Sequence, residues 1–286
     1  MRVGFVVHDG RAEALKAAGE LATWCRDRGL EVRSLEGIAG VTEPSPPDAF
    51  VESLDLVASV GGDGTLLRAA FMGHLAEVPV LGIKVGRLGF LTEVAPEGAP
   101  AALEGWLRGE LEVEERMALR AEAEGAAWDE PQWALNEIIV EKGARHRVIR
   151  LAATVGEEHV TTFSADGVIV ASPTGSTAYS FSAGGPIVSP RLRCMVLMPV
   201  APHMTFDRPV VLAPDERVTL EVRPDEPGLL SADGRAGLEL PVGARVLIRR
   251  ADQPARLLRR PRPESFYSLL RRKFALPAEP PGEEEP

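Results

Sequence analysis

Gly61-Gly62-Asp63-Gly64-Thr65 follows directly on an apolar run, Leu54 to Val60, and opens a stretch with helical spacing, Thr65 to His74. A strand that passes through glycines into a helix leaves backbone N–H groups uncovered at the helix N-terminus, where they and the helix dipole favour an anion. That order of strand, glycine turn and helix belongs to α/β layers. The flanking sequence extends the pattern. Val3 to Val7 reads as a buried strand, Ala12 to Arg28 as a helix with Leu15, Ala18, Ala22 and Cys25 on one stripe, and Leu30 to Arg33 and Val78 to Ile83 as further strands. Val41 to Pro47 is a proline-rich loop. The first third is therefore predicted to be a βαβ layer around a parallel sheet.

Beyond Leu111 the texture changes. Arg147 to Val155 alternates, and apolar runs at Ile138 to Val140, Val168 to Ala171, Val218 to Val222 and Arg245 to Ile248 are separated by closely spaced turn residues. This predicts a mainly β, sandwich-like second domain over residues 111–261, after an α/β domain over 1–110 and a hinge near 95–115. Ser265 to Phe274 reads as an amphipathic helix, and the Pro/Glu-rich tail 277–286 has no core-forming residues and is expected to be disordered. A chain of 286 residues is long enough for two such domains.

With 42 acidic against 32 basic side chains the net charge is −10, which argues against nonspecific contact with nucleic acid or an anionic membrane. The apolar runs fall far short of the ~20 residues that span a bilayer, and the opening Met1 to Asp9 is read as a strand rather than a signal peptide. Only two cysteines occur, Cys25 and Cys194, so no disulfide framework is expected and the chain fits a reducing cytoplasm. Residues 245–273 hold ten basic and two acidic side chains, a solvated or interface face in the ordinary reading and a phosphate contact in the sharper one.

Three segments carry chemistry. The glycine loop is neither a Walker A loop nor a Rossmann fingerprint, and taken alone it is also readable as a tight turn with Asp63 near a helix cap. The open carboxylate of Asp63 favours a functional part. Asn136-Glu137, built on the one asparagine of the chain, can donate to and accept from vicinal hydroxyls such as a ribose diol, although such a pair is also common at a solvated strand edge. The long block from Ala165-Asp166-Gly167 through Ser172-Pro-Thr-Gly-Ser-Thr-Ala-Tyr179-Ser180 to Pro186 brings a buried strand into a turn dense in hydroxyls, with Tyr179 available to stack on a base or to serve as ordinary core. His203, in Pro199 to His203, is read as a structural hydrogen-bonding residue.

These segments, with Gly86 to Leu91 and Ser231-Ala-Asp-Gly234, resemble the NAD kinases in order and spacing. The Gly-Gly-Asp-Gly element is shared with lipid kinases and phosphofructokinases, so the Pro-Thr-Gly-Ser-Thr-Ala-Tyr block makes the likeness specific. The resemblance implies a Rossmann-like N-terminal domain, an all-β C-terminal domain, a segment 262–275 that returns to the first domain, and an active site between the domains. It implies transfer of a phosphoryl group from ATP, or polyphosphate, to the 2'-hydroxyl of the adenosine ribose of NAD, with a divalent cation such as Mg²⁺ and a homodimer or homotetramer. Asp63 would be the general base. Gly61, Gly62, Gly64, Thr65 and Arg68 would hold phosphate. The dinucleotide would meet Asp63, Gly64, Asn136, Glu137, Arg147, Asp166, Thr177, Ala178, Tyr179, Ser180 and Ser182, with Ala201 near a subunit interface. Lys84, Ser164 and Arg235 depart from the residues expected of the family at their positions. A lipid kinase and a non-catalytic NAD-binding regulator are the rival readings.

Overall fold

The computed structural model describes residues 1–276 apart from 87, 88, 93, 145, 146, 225, 262 and 263; the tail 277–286 lies outside the described residues. Two compact units divide the chain, one made of Met1–Glu115 with the chain from Arg256 onward, the other of Arg116–Ala255.

The first unit begins β1 (Arg2–Val7), α1 (Ala12–Asp27), β2 (Glu31–Ser34), α2 (Pro47–Val51), β3 (Leu56–Gly61), α3 (Asp63–Leu75), β4 (Val80–Lys84), α4 (Ala99–Leu107) and β5 (Glu112–Arg116). β1 and β3 are buried almost throughout, as strands of a parallel sheet covered on both faces must be. α1 buries Ala14, Ala18, Leu21, Ala22 and Cys25 against this sheet, whereas Leu15, expected on the stripe, points outward. The small alanines let the helix axis approach the strands closely, and Ala14 takes the place that a bulkier Leu15 would fill.

The second unit is all β apart from short turns of helix. Its strands are β6 (Leu119–Glu124), β7 (Gln132–Ala134), β8 (Glu137–Lys142), β9 (Ile149–Val155), β10 (Glu158–Ala165) and β11 (Gly167–Ala171), followed by the short helix α5 (Tyr179–Ser182). β12 (Met195–Val200), β13 (Val210–Leu212), β14 (Val218–Val222), β15 (Gly228–Ala232), β16 (Leu238–Leu240) and β17 (Arg245–Arg250) complete it. They form two six-stranded sheets, β10-β9-β14-β17-β6-β7 and β13-β12-β11-β8-β15-β16. One core joins them: Leu119, Leu151, Leu220 and Ile248 of the first sheet pack in the same cluster as Ile138, Val140, Val168 and Leu197 of the second. The sandwich expected from the sequence is present. The opposite face of the second sheet, with Ile139, Ile169, Val196 and Met198, buries Val188 and Cys194.

The chain then re-enters the first unit through β18 (Ala255–Arg259), which pairs parallel with β4, and ends its described part after α6 (Phe266–Lys273), capped by the Ser265 hydroxyl. The sheet order is β2-β1-β3-β4-β18-β5. β1 and β3 are adjacent while β2 lies on the far side of β1, so their carboxyl ends flank the switch point where open α/β sheets bind ligands. Gly61 sits there. Several arginines of 245–273 form ion pairs, including Arg249–Asp252 at 2.8 Å, Arg259–Glu114 at 2.7 Å and Arg272–Glu264 at 2.9 Å. Both cysteines are free and buried, and burial raises both thiols, that of Cys25 up to about 12, which disfavours a reactive thiolate at either.

Candidate active site

α3 starts at Asp63, two residues before the helical pattern becomes visible in the sequence, with Gly62 as its N-cap. Asp63 is therefore in the first turn of the helix, where a negative charge faces the positive end of the dipole. Its carboxylate is not open. One oxygen accepts the Phe90 N–H at 2.8 Å and the other the Leu91 N–H at 3.2 Å. Gly89 permits this embrace, because a Cβ at that position would fall on the carboxylate itself. Gly64 is exposed, Gly62 half-buried, Gly61 and Thr65 buried. Arg68 stands on α3 but pairs with Glu36, so its guanidinium must exchange that partner to meet a phosphate.

In the second unit Asn136 and Glu137 are 6% and 8% exposed, which removes the solvated-edge reading. A third residue holds them. The Asp233 carboxylate accepts the N–H groups of Leu135 and Asn136 at 2.7 Å each and of Glu137 at 3.2 Å. Burial, then the nearby charge of Asp233, pushes the Glu137 carboxyl up to about 8, opposed by the Tyr179 N–H. Burial raises Asp233 as well, but three N–H donors and the Arg235 charge favour its ionised form. One proton between the two carboxyls therefore belongs on Glu137, whose Oε2 has no hydrogen-bond partner among the described residues. Arg235 donates to the Trp133 carbonyl beside this cluster, so the basic residue at that position has a structural use.

The Ser172–Ala178 turn is seated on the same pair. The Ser172 N–H donates to the Asn136 carbonyl at 2.8 Å, and its hydroxyl to the Leu135 carbonyl at 2.5 Å. Gly175 presses against the Asn136 backbone so closely that a Cβ would overlap it. Much of the hydroxyl content that the sequence offers to a ligand is spent internally: Ser176 donates to the Pro173 carbonyl at 2.7 Å and accepts the Val188 N–H at 2.9 Å, and Ser180 is fully buried with its hydroxyl 3.3 Å from the Met198 sulfur. Thr177 and Ala178 are half-buried, Ser182 is exposed, and Tyr179 is 41% exposed rather than core.

Asp166 lies at the other end of the β8–β11 pair, where Gly167 faces Glu141 and Ala171 faces Glu137. It forms an ion pair with Lys142 at 2.5 Å and lines a cleft of about 510 Å³ with Arg147, Arg150, His203 and Glu226. Arg147 pairs with Glu226 at 2.5 Å. His203 is held through its backbone N–H on the Ser164 carbonyl at 2.8 Å, and Ala201, two residues before it, adopts φ +45°. Tyr179 links the two groups: after burial, the charges of Glu141, Asp166 and Glu137 raise its hydroxyl above the ordinary tyrosine value.

Residues 3–111 match the ATP-NAD kinase N-terminal domain, and residues 135–260 the ATP-NAD kinase C-terminal domain. The chain belongs to the NAD kinase family. An NAD kinase of Heliobacterium modesticaldum is 41% identical over 95% of this chain and 98% of its own length, and one of Syntrophotalea carbinolica is 37% identical over 96% and 98%. Among solved structures, an NAD kinase from Archaeoglobus fulgidus in complex with ATP superposes with a TM-score of 0.72 at 28% identity, covering 96% of this chain and 98% of that one. Yeast NADH kinase complexed with NADH gives 0.86 at 22% identity over 98% and 89%, a likeness of fold.

Members of the NAD kinase family are expected to use a divalent cation. Among the described residues no group of three or more His, Cys, Asp or Glu side chains could hold a metal ion, so the donor set does not fit a resident metal cage. A cation that arrives on the nucleotide needs no such cage, since Mg²⁺ keeps its waters and takes phosphate oxygens with one or two carboxylates. Sequence reasoning missed Asp233 as part of the site. Ser231-Ala-Asp-Gly234 stood in the resemblance without a role, and an acid before glycine in a turn was the only local signal.

Proposed function

We propose that this chain is an NAD kinase that moves the γ-phosphoryl group of ATP to the 2'-hydroxyl of the adenosine ribose of NAD, forming NADP. Asp63 carries the reading: it is the acid of the glycine loop, in the first turn of α3 at the switch point of a parallel sheet, in a chain of this family. In-line transfer needs an acceptor oxygen freed of its proton and a donor held straight behind it. Asp63 takes that proton, and the N–H groups around Gly61, Gly62, Gly64 and Thr65 receive phosphate, with Arg68 joining once released from Glu36. ATP as donor is supported by the Archaeoglobus fulgidus relative, whose structure holds it.

The dinucleotide belongs to the second unit. Asn136 offers an amide and Glu137 a carboxyl to the ribose diol, Thr177 to Ser182 form the wall, and Tyr179 supplies a half-open ring. Asp166 and Arg147 face an anion-tolerant cleft with Lys142 and Arg150, which we assign to the nicotinamide half. Tyr179, Phe181, Ile187, Leu192 and Val211 are exposed, and this apolar content supports completion of the pocket by a second copy, as the homodimer or homotetramer of the family resemblance implies. Divalent cation, carried on ATP, and a cytoplasmic setting, consistent with two free buried thiols, complete the reading.

The full chain incubated with ATP, Mg²⁺ and NAD should make NADP in a coupled assay, with NADH, polyphosphate and diacylglycerol as parallel substrates. Absence of NADP with either phosphoryl donor, or phosphorylation of the lipid instead, would overturn the reading.

A further inference from the structure

α6 has no fully buried residue, and a helix of eight residues is marginal on its own. Three of its contacts converge on one residue, Phe90. The Phe266 and Phe274 rings lie 6.0 and 6.4 Å from the Phe90 ring, and the Lys273 ammonium sits 4.3 Å above its face. Arg259, also from the returning segment, donates to the Leu91 carbonyl at 3.1 Å while its Nε holds Glu114 at 2.7 Å. Phe90 and Leu91 are the two residues whose N–H groups grip the Asp63 carboxylate.

We propose that α6 and Arg259 act as the positioning element for Asp63: they fix the Phe90–Leu91 backbone from behind, so that two N–H groups aim the carboxylate and hold its rotamer for the acceptor hydroxyl. The inference rests on Asp63 being the base. In this role Phe266, Phe274 and Arg259 are positioning residues: they work through Phe90 and Leu91, more than 160 residues away in sequence. A carboxylate on an exposed helix start has several rotamers, whereas one pinned through both oxygens has one. Proton abstraction depends steeply on that placement.

The test compares the full chain with Phe266→Ala/Phe274→Ala, two positions that retain surface exposure. Loosening the clamp should lower kcat by about tenfold to a hundredfold while KM for NAD and for ATP stays within about threefold. Amide exchange at Phe90 and Leu91 should accelerate by about tenfold or more, with the α3 interior unchanged. Phe266→Leu/Phe274→Leu, which keeps apolar bulk, should recover to within about threefold of wild type. In an Asp63→Asn background the two alanines should cost almost nothing further, because the clamp has no base left to place. Should the double variant fail to fold, Phe274→Ala alone, at an exposed position, carries the same comparison. A folded variant with wild-type kcat, or one that loses kcat with exchange at Phe90 and Leu91 unchanged, overturns the proposal. A wild type that makes no NADP sinks the reading of the site instead, and amide exchange still decides whether the clamp exists.

Discussion

Asp233 and Glu137 are tied to each other in both directions: the Asp233 N–H donates to the Glu137 carbonyl at 3.0 Å, and the Glu137 N–H donates to the Asp233 carboxylate at 3.2 Å. Asp233 adopts φ +50°, a left-handed turn that aspartate tolerates better than most residues. That turn points the carboxylate back at three successive N–H groups. The strand start that presents Asn136 and Glu137 is thus built from a residue almost a hundred positions later.

Asp233→Ala should leave those three N–H groups buried without an acceptor. The expected loss is about 2 to 4 kcal/mol of unfolding free energy, with Asp233→Asn costing less because it keeps one acceptor oxygen. Urea unfolding of both variants checks this. A loss below about 1 kcal/mol for the alanine variant would mean that water replaces the carboxylate without penalty.

Glu137 makes stability depend on pH with a definite sign. Below the ordinary glutamate range the folded and unfolded chains both carry the proton, and the group costs nothing. As pH rises to about 8 the unfolded chain gives up its proton while the folded chain keeps it, so the folded state loses ground across that window. Glu137→Gln cannot titrate. The melting-temperature difference, wild type minus variant, should therefore shrink or reverse between about pH 5 and about pH 9. A difference that stays constant would show that Glu137 is ionised in the fold. The same burial makes the expected ribose contact a neutral one, worth about 0.5 to 1.5 kcal/mol rather than the larger value for a charged partner.

Gly175→Ala tests how the Ser172–Ala178 turn is seated. The added methyl would meet the backbone of Asn136, which cannot swing aside as a side-chain tip could. Overpacking of this kind should cost about 1 to 3 kcal/mol, and the displaced amide should weaken NAD binding while ATP binding is spared. Calorimetry with each nucleotide separates the two effects; equal weakening of both would point to general unfolding.

Local patterns were readable where the chemistry is local. The glycine loop, the buried strands and the sandwich all declare themselves by composition and period, and the limits of β14 coincide with the apolar run Val218 to Val222. What could not be read is what distant segments do to one another. Nothing near Asp63 says that Phe90 and Leu91 will bind its carboxylate, and nothing near Asn136 says that Asp233 will hold it. Likewise the Leu15 stripe failed because the choice between Leu15 and Ala14 depends on how closely α1 approaches the sheet. The hydroxyls of Ser176 and Ser180 looked available in sequence, and it is the packing of the turn against Val188 and Met198 that turns them inward.

Asp63→Asn separates the chemical role of this residue from its structural one. The amide keeps the size of the side chain and can still sit at the start of α3, but it offers one acceptor where two N–H groups converge, so the Phe90–Leu91 loop should loosen slightly. If Asp63 served only as a loop anchor, that loosening would be the whole effect, and turnover would stay near normal. As a general base it has no substitute in the amide, and its loss should lower kcat by about 10² to 10⁴. At 1.36 kcal/mol per decade that is roughly 3 to 5 kcal/mol of barrier. The group acts mainly in the transition state, so the affinities for NAD and ATP should change less than kcat. Steady-state kinetics beside a thermal melt decide between the two: a folded Asp63→Asn enzyme that keeps more than about a tenth of wild-type kcat leaves the proton on the 2'-hydroxyl without its proposed acceptor.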